Sequence, residues 1–206
     1  MKDSKSFWDK RAEKYSNRPI KDRATYQKKL KITQQYFCPD SHVLEIGCGS
    51  GGTAILHSPH VKHIVAMDIS EKMIEIAQTK AVEAGIKNIH FQQETLKNLD
   101  LPKESFDTVL ALNVLHLLED TDNTIDKIHQ LLKNNGFFVS STPLMGEVNI
   151  VFRWLISVMQ YLGLAPYVRN LTRNQLINKL TEAGFIIEQE WQSSRESLFI
   201  VAQKST

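Results

Sequence analysis

The chain has 206 residues, 42% hydrophobic and 23% charged, which is enough apolar material for one substantial core. Its 25 basic and 23 acidic residues leave a net charge of +2 with no basic run longer than two, excluding the electrostatic footprint of a nucleic-acid binder. Cys38 and Cys48 alone give no disulfide framework and point to a reducing cytoplasm, and the charged start MKDSKSFWDKRAEKY lacks the apolar stretch of a signal peptide.

In chain order, the first forty residues read as helical and amphipathic. Ser6 is placed to cap a helix in which Asp9 stands three residues on. Phe7, Trp8 and Tyr15 supply apolar bulk there among Lys10, Arg11, Glu13 and Lys14, and Asn17, Arg18 and Pro19 break the helix. A second helix is expected from Asp22 to about Tyr36, with Tyr26, Leu30 and Thr33 on one stripe. It stops before Pro39, because the residue ahead of a proline disfavours the helical region. Trp8 and Tyr15 carry two readings, packing on the core or closure over a ligand.

After Asp40 the pattern turns to strand and helix in alternation, the signature of parallel βαβ units. His42 to Ile46 reads as a strand and Gly52 to about Leu56 as a short helix. His63 to Met67 is a second strand ending at Asp68, and Ser70 caps a helix running to Ala84 that Gly85 terminates. Asn88 to Gln92 and Phe106 to Leu112 follow as strands, the latter nearly all apolar as a doubly covered strand should be. Asp122 to Lys133 is helical, Gly136 ends it, and Phe137 to Ser141 is a fifth strand.

The closing third differs. Val148 to Leu164 is apolar on almost every side yet too short and broken for a membrane span, so it must be buried or lie on something greasy. Phe152, Trp154, Met159 and Tyr161 are expected to line a hydrophobic pocket, with core or the face of a homodimer as the alternative. Thr172 begins a helix that ends at Gly184. Phe185 to Trp191 and Ser197 to Ala202 are then joined by a polar turn at Gln192 to Glu196, too short for anything but antiparallel pairing.

The densest stretch is VLEIGCGSGG, Val43 to Gly52. A buried strand runs into Gly47, Gly49, Gly51 and Gly52, where a ligand can lie against bare backbone. GxGxxG is satisfied by Gly47, Gly49 and Gly52, and Asp68 stands where a dinucleotide-binding unit keeps its ribose-binding acid, so an NAD(P)-dependent oxidoreductase fits the turn alone. Glu45 points elsewhere. A pyrophosphate wants backbone donors and a helix dipole, and a carboxylate beside the turn repels it. A ligand carrying an ammonium and a sulfonium wants acceptors there, which describes S-adenosylmethionine.

EIGCGSG resembles the first motif of the class I S-adenosylmethionine-dependent methyltransferases, and AMDIS (Ala66 to Ser70) resembles the second. QETL (Gln93 to Leu96) takes the place of their adenine-reading segment, with Glu94 and Thr95 where the family usually has Asp-Ala. SFDTVLALNVLHLL, LLKNNGFFVSSTP and FWDKRAEKY are similar to the fourth strand and its turn, the fifth strand and the N-terminal lid of the small-molecule branch, the UbiE-like methyltransferases. The resemblance implies an α/β, doubly wound Rossmann-like sheet of seven strands, mostly parallel with one antiparallel strand, in the order 3-2-1-4-5-7-6. It divides one domain into a lid (1–38), a cofactor core (39–142), an acceptor-side insertion (143–172) and a final helix and hairpin (173–206). It implies methyl transfer by in-line displacement to a small, apolar or aromatic acceptor, or a protein that binds the cofactor without turnover.

By the same resemblance the cofactor is held by Glu45, Gly47, Cys48, Gly49, Gly51, Asp68, Ile69, Glu94, Thr95 and Asn113, with Trp8 and Tyr15 closing over it. Asp68 takes the ribose, Ile69 lies on the adenine, and Glu45 anchors the turn and the methionine ammonium. Asn113 and His116 sit near the transferred methyl, His116 as a candidate general base. His57, His60 and His63 straddle Pro59 without a carboxylate or thiol nearby and read as a solvated connection, so no metal is expected.

Overall fold

The computed structural model describes residues 2–98, 101–194 and 196–205. Two short helices, α1 (Lys2–Asp9) and α2 (Ala12–Ser16), precede α3 (Arg23–Gln34), which Asp22 caps by accepting from the Thr25 N–H at 2.9 Å. The expected single helix opening at Ser6 is corrected here, because Ser6 lies inside α1 and the chain turns between Asp9 and Ala12. The turn has a purpose. It brings the Asp9 carboxylate to the start of another helix, where it accepts from the Ser70 hydroxyl at 2.7 Å and the Lys72 N–H at 3.3 Å.

Strands and helices then alternate: β1 (His42–Ile46), α4 (Gly52–His57), β2 (His63–Asp68), α5 (Glu71–Glu83), β3 (Ile89–Gln93), β4 (Phe106–Leu112), α6 (Thr121–Leu131) and β5 (Leu132–Pro143). After β5 come α7 (Ile150–Tyr161), α8 (Arg173–Glu182), β6 (Phe185–Ser194) and β7 (Ser197–Lys204). They form one seven-stranded sheet in the order β3-β2-β1-β4-β5-β7-β6, parallel except for β7, which runs antiparallel to both β5 and β6. Two apolar layers cover it, one built on Leu44, Val109, Ile128, Leu176 and Ile200, the other on Val43, Ile64, Ala77, Leu110 and Val201. The alternation of neighbours such as Val43 and Leu44 between the layers follows from the two-residue period of a strand.

Two expectations shift. α6 stops at Leu131 rather than Lys133, because Leu132 pairs with Phe106 in the sheet and Lys133 closes on Asp107 at 2.7 Å. The hairpin strands also run longer than expected and narrow the turn; Arg195 of that turn lies outside the described residues. Among the described residues no helix is long and apolar enough to cross a membrane.

The larger correction concerns Val148 to Leu164. Ile150–Tyr161 is helical, with Asn149 as its cap, but none of its residues is buried. None of Phe152, Trp154, Met159 and Tyr161 is on the wall of the large cavity described below: Phe152, Trp154 and Tyr161 are exposed, and the chain meets that cavity further on, at Pro166 and Tyr167. An apolar run normally signals burial because hydration of that surface is costly. Here the exposed face of the helix has no cover among the described residues.

Candidate active site

The parallel strands β1, β2 and β4 all end on one side of the sheet, and their carboxyl ends open into a cavity of about 260 Å³. Each wall has a local cause. After Ile46 the chain reverses through Gly47 (φ 66°) and Gly49 (φ 53°). A Cβ on Gly47 would lie 2.5 Å from Val114 Cγ2, so packing alone demands glycine there. One on Gly49 would meet only Tyr15 Cε1, at 3.6 Å, leaving room on the cavity side for a ligand against backbone.

Asp68 closes β2 and does two things at once. Its Oδ2 accepts from the Gly49 N–H and its Oδ1 from the Ser70 N–H, both at 2.9 Å, tying the glycine turn to the start of α5. Burial pushes its carboxyl upward against those hydrogen bonds. Glu94 follows β3, its N–H donating to the Asp68 carbonyl at 3.1 Å and its Oε1 accepting from the Thr95 N–H at 2.8 Å. Asn113 turns the chain after β4 with φ 60°, its N–H donating to the Ser141 carbonyl at 2.6 Å. Tyr15 and Trp8, ring centroids 5.9 Å apart and edge to face, close the remaining side. Burial and the nearby Asp68 charge raise the Tyr15 hydroxyl.

The structure thus gathers Trp8, Tyr15, Gly47, Gly49, Asp68, Ile69, Glu94, Thr95 and Asn113 around one cavity. Four expected residues lie off it. Gly51 serves packing, since a Cβ there would sit 2.7 Å from that of Ala77 and 3.0 Å from the Phe91 ring. Cys48 is buried, and burial, then Glu45 and Asp68, hold its thiol well above the ordinary value, leaving it inert. His116 is not on the cavity wall; burial lowers it to about 4, and it is neutral at pH 7. Glu45 sits beneath the turn at 2% exposure, pushed up to about 8 by burial and the Asp68 charge.

Wall residues that the motifs did not single out include Ser4, Met73, Leu117, Asp120, Thr124 and Tyr167. Asp120 and Thr124 carried a usable signal: Asp120 caps α6 right after the turn that follows β4, at the same sheet edge. Tyr167 carried none, since only the tertiary path of the chain brings it there.

The donor set discriminates between ligands. Asp68, Glu94, Glu119 and Asp120 face the cavity with Lys97 as the single cation, an environment that repels a pyrophosphate and suits a cation with hydroxyls and an amine. Glu45 Oε2 and Thr95 Oγ1 are buried without a hydrogen-bond partner among the described residues. Buried orphans of this kind call for a ligand or water. S-adenosylmethionine fits: it offers an ammonium, ribose hydroxyls and an adenine amine to acceptors, and its sulfonium suits a carboxylate-rich wall.

Residues 43–136 match the family described as "Methyltransferase domain". Those residues are thus a methyltransferase domain, in which the chain resembles the class I S-adenosylmethionine-dependent methyltransferases. Among its relatives it is 35% identical over 103 residues to the uncharacterized methyltransferase YcgJ of Bacillus subtilis, covering 50% of this chain and 41% of that protein. It is 28% identical over 190 residues to a ubiquinone biosynthesis O-methyltransferase of Chelativorans, covering 80% of this chain and 72% of that one. The chain spans about half the length of most of the curated relatives it matches. Its fold matches the crystal structure of YcgJ with a TM-score of 0.74 at 18% identity, covering 87% of this chain and 99% of that one.

Proposed function

We propose that this chain transfers a methyl group from S-adenosylmethionine to a small, largely apolar or aromatic acceptor. One observation carries the reading: a single cavity joins the glycine turn and its carboxylates to a wall in which apolar atoms predominate, among them Leu112, Val114, Leu117 and Leu118. In this reading Asp68 accepts from the ribose hydroxyls, Ile69 lies against the adenine, and Glu94 and Thr95 read its edge. Gly47 and Gly49 offer bare backbone, Glu45 compensates the ammonium from below, and Asn113 orients the acceptor side. Trp8 and Tyr15 exclude water. The bound cofactor supplies a sulfonium methyl open to in-line displacement, so placement of the acceptor can carry most of the rate, about 7 to 11 kcal/mol. No side-chain base is assigned; His116, neutral and off the cavity, is left out of the reaction. The relative named for ubiquinone biosynthesis supports a hydroxyaromatic acceptor.

Calorimetry with S-adenosylmethionine, S-adenosylhomocysteine and NAD tests the cofactor, and a methyl-release assay over quinols, phenols, amines and thiols tests the acceptor. Both sulfur ligands should bind, NAD should not, and quinols or phenols should turn over. Silence toward both sulfur ligands refutes the proposal; binding without turnover of any acceptor leaves a cofactor-binding protein.

A further inference from the structure

A run of ten to fourteen apolar residues belongs either in a protein core or at a membrane interface. For α7 the core is ruled out by the structure itself: Ile150 is 76% exposed, Val151 70%, Trp154 68% and Tyr161 91%. Leu162 and Leu164 continue the patch beyond the helix. At about 100° per residue, the exposed apolar positions from Ile150 through Val151 to Phe152 sweep more than half the circumference. A helix of a second copy covers a stripe roughly 100° wide. Hydrocarbon at a lipid boundary surrounds far more.

We propose that α7 seats this protein in the plane of an anionic lipid bilayer surface. Charge supports that occupant. Between Val148 and Thr172 the chain carries Arg153 and Arg169 and no carboxylate, and Arg11 reaches the end of the segment by donating to the Leu164 carbonyl at 3.4 Å. Arg169 is already paired with Asp122 at 3.8 Å and donates to the Glu119 carbonyl, whereas Arg11 and Arg153 form no ion pair among the described residues and are the charges left for headgroups. Arginines beside a greasy helix meet anionic headgroups, and Trp and Tyr rings are at home at that depth. The helix is about 18 Å long, too short to span a hydrocarbon core of about 30 Å, so it lies flat. The patch also runs toward the cavity, since Pro166 and Tyr167 line its wall. An apolar acceptor dissolved in lipid would then reach the site without crossing water.

The test is co-sedimentation of the full chain with vesicles of phosphatidylcholine containing phosphatidylglycerol, beside vesicles of phosphatidylcholine alone. The chain should pellet with the anionic vesicles, less so at high salt or without the anionic lipid. The double variant Val151→Asp, Trp154→Asp should lower that partition about tenfold or more. Val82→Asp, which replaces an exposed apolar residue on α5, should leave it unchanged, and all three proteins should keep the same circular dichroism. Absence of pelleting, or equal binding by the double variant, overturns the proposal. So does a lipid-free dimer in light scattering that the double variant turns into monomer, because a second copy then covers the helix. Since no methyl transfer is read, failure here leaves the catalytic reading standing.

Discussion

Glu45 is the residue whose state matters most. Pushed up to about 8 by burial and the Asp68 charge, it is mostly protonated at pH 7, and a cation placed above the turn would draw it back down. Cofactor binding should therefore release a proton. Calorimetry at pH 7 in two buffers of different ionisation enthalpy should give different apparent heats for the wild type and the same heat for Glu45→Gln, whose affinity should also drop about tenfold or more. The glycines separate in the same way. Gly51→Ala adds overpacking of about 1–3 kcal/mol against Ala77 and Phe91 to its backbone strain, so it should melt earlier. Gly49→Ala carries the same backbone strain, at φ 53°, but meets only the edge of Tyr15, so it should melt later than Gly51→Ala and bind the cofactor poorly. Thermal melts with and without ligand distinguish the two. From sequence the four glycines look alike, because spacing records a turn and not which side of it a neighbour occupies.

Among the elements, the N-terminal helices show best what was legible and what was not. Aromatic bulk at Trp8 and Tyr15 could be read as core packing or as a closing surface, and both rings line the cavity. Asp9, read as an ordinary acid within a helix, is instead the hook. Burial works against its charge, but hydrogen bonds from Ser70, Lys72 and Lys5 outweigh it and hold the carboxyl below its usual range. Asp9→Ala should cost about 1 kcal/mol of docking energy and raise the dissociation constant for the cofactor several-fold. Faster protease cleavage between Lys10 and Arg18 would report the loosened segment. Strand runs, caps and the antiparallel hairpin were legible because period, caps and loop length are local properties. The exposure of α7 was not, since a strongly apolar segment carries the same letters whether its solvent is the core or something outside the chain.

For the whole molecule, opposing titrations set a pH window. His57 and His116 are each lowered by burial to about 4. They bind fewer protons folded than unfolded, so their contribution is present above about 6.5 and lost as pH falls through 4. Glu45 has the opposite sign: its contribution is full below about 4.5 and lost as pH rises through 8. Two histidines outweigh one carboxylate below about pH 6.5, so the protein without cofactor should gain stability up to about pH 6.5 and lose it above that. Melting temperature against pH checks this, and Glu45→Gln should flatten the alkaline arm and steepen the acid one.

The position of β7 has a consequence for how the chain is made. Its residues, 197–204, are made after both of the strands they join, yet they occupy an interior slot between β5 and β6. Until they emerge, β5 presents a full row of unpaired peptide groups next to the buried Phe138 and Val139, the kind of edge on which nascent chains associate. The sheet therefore closes only once β7 has been made, and a stop codon between Gly184 and Ser197 should yield an aggregating product rather than a shortened enzyme.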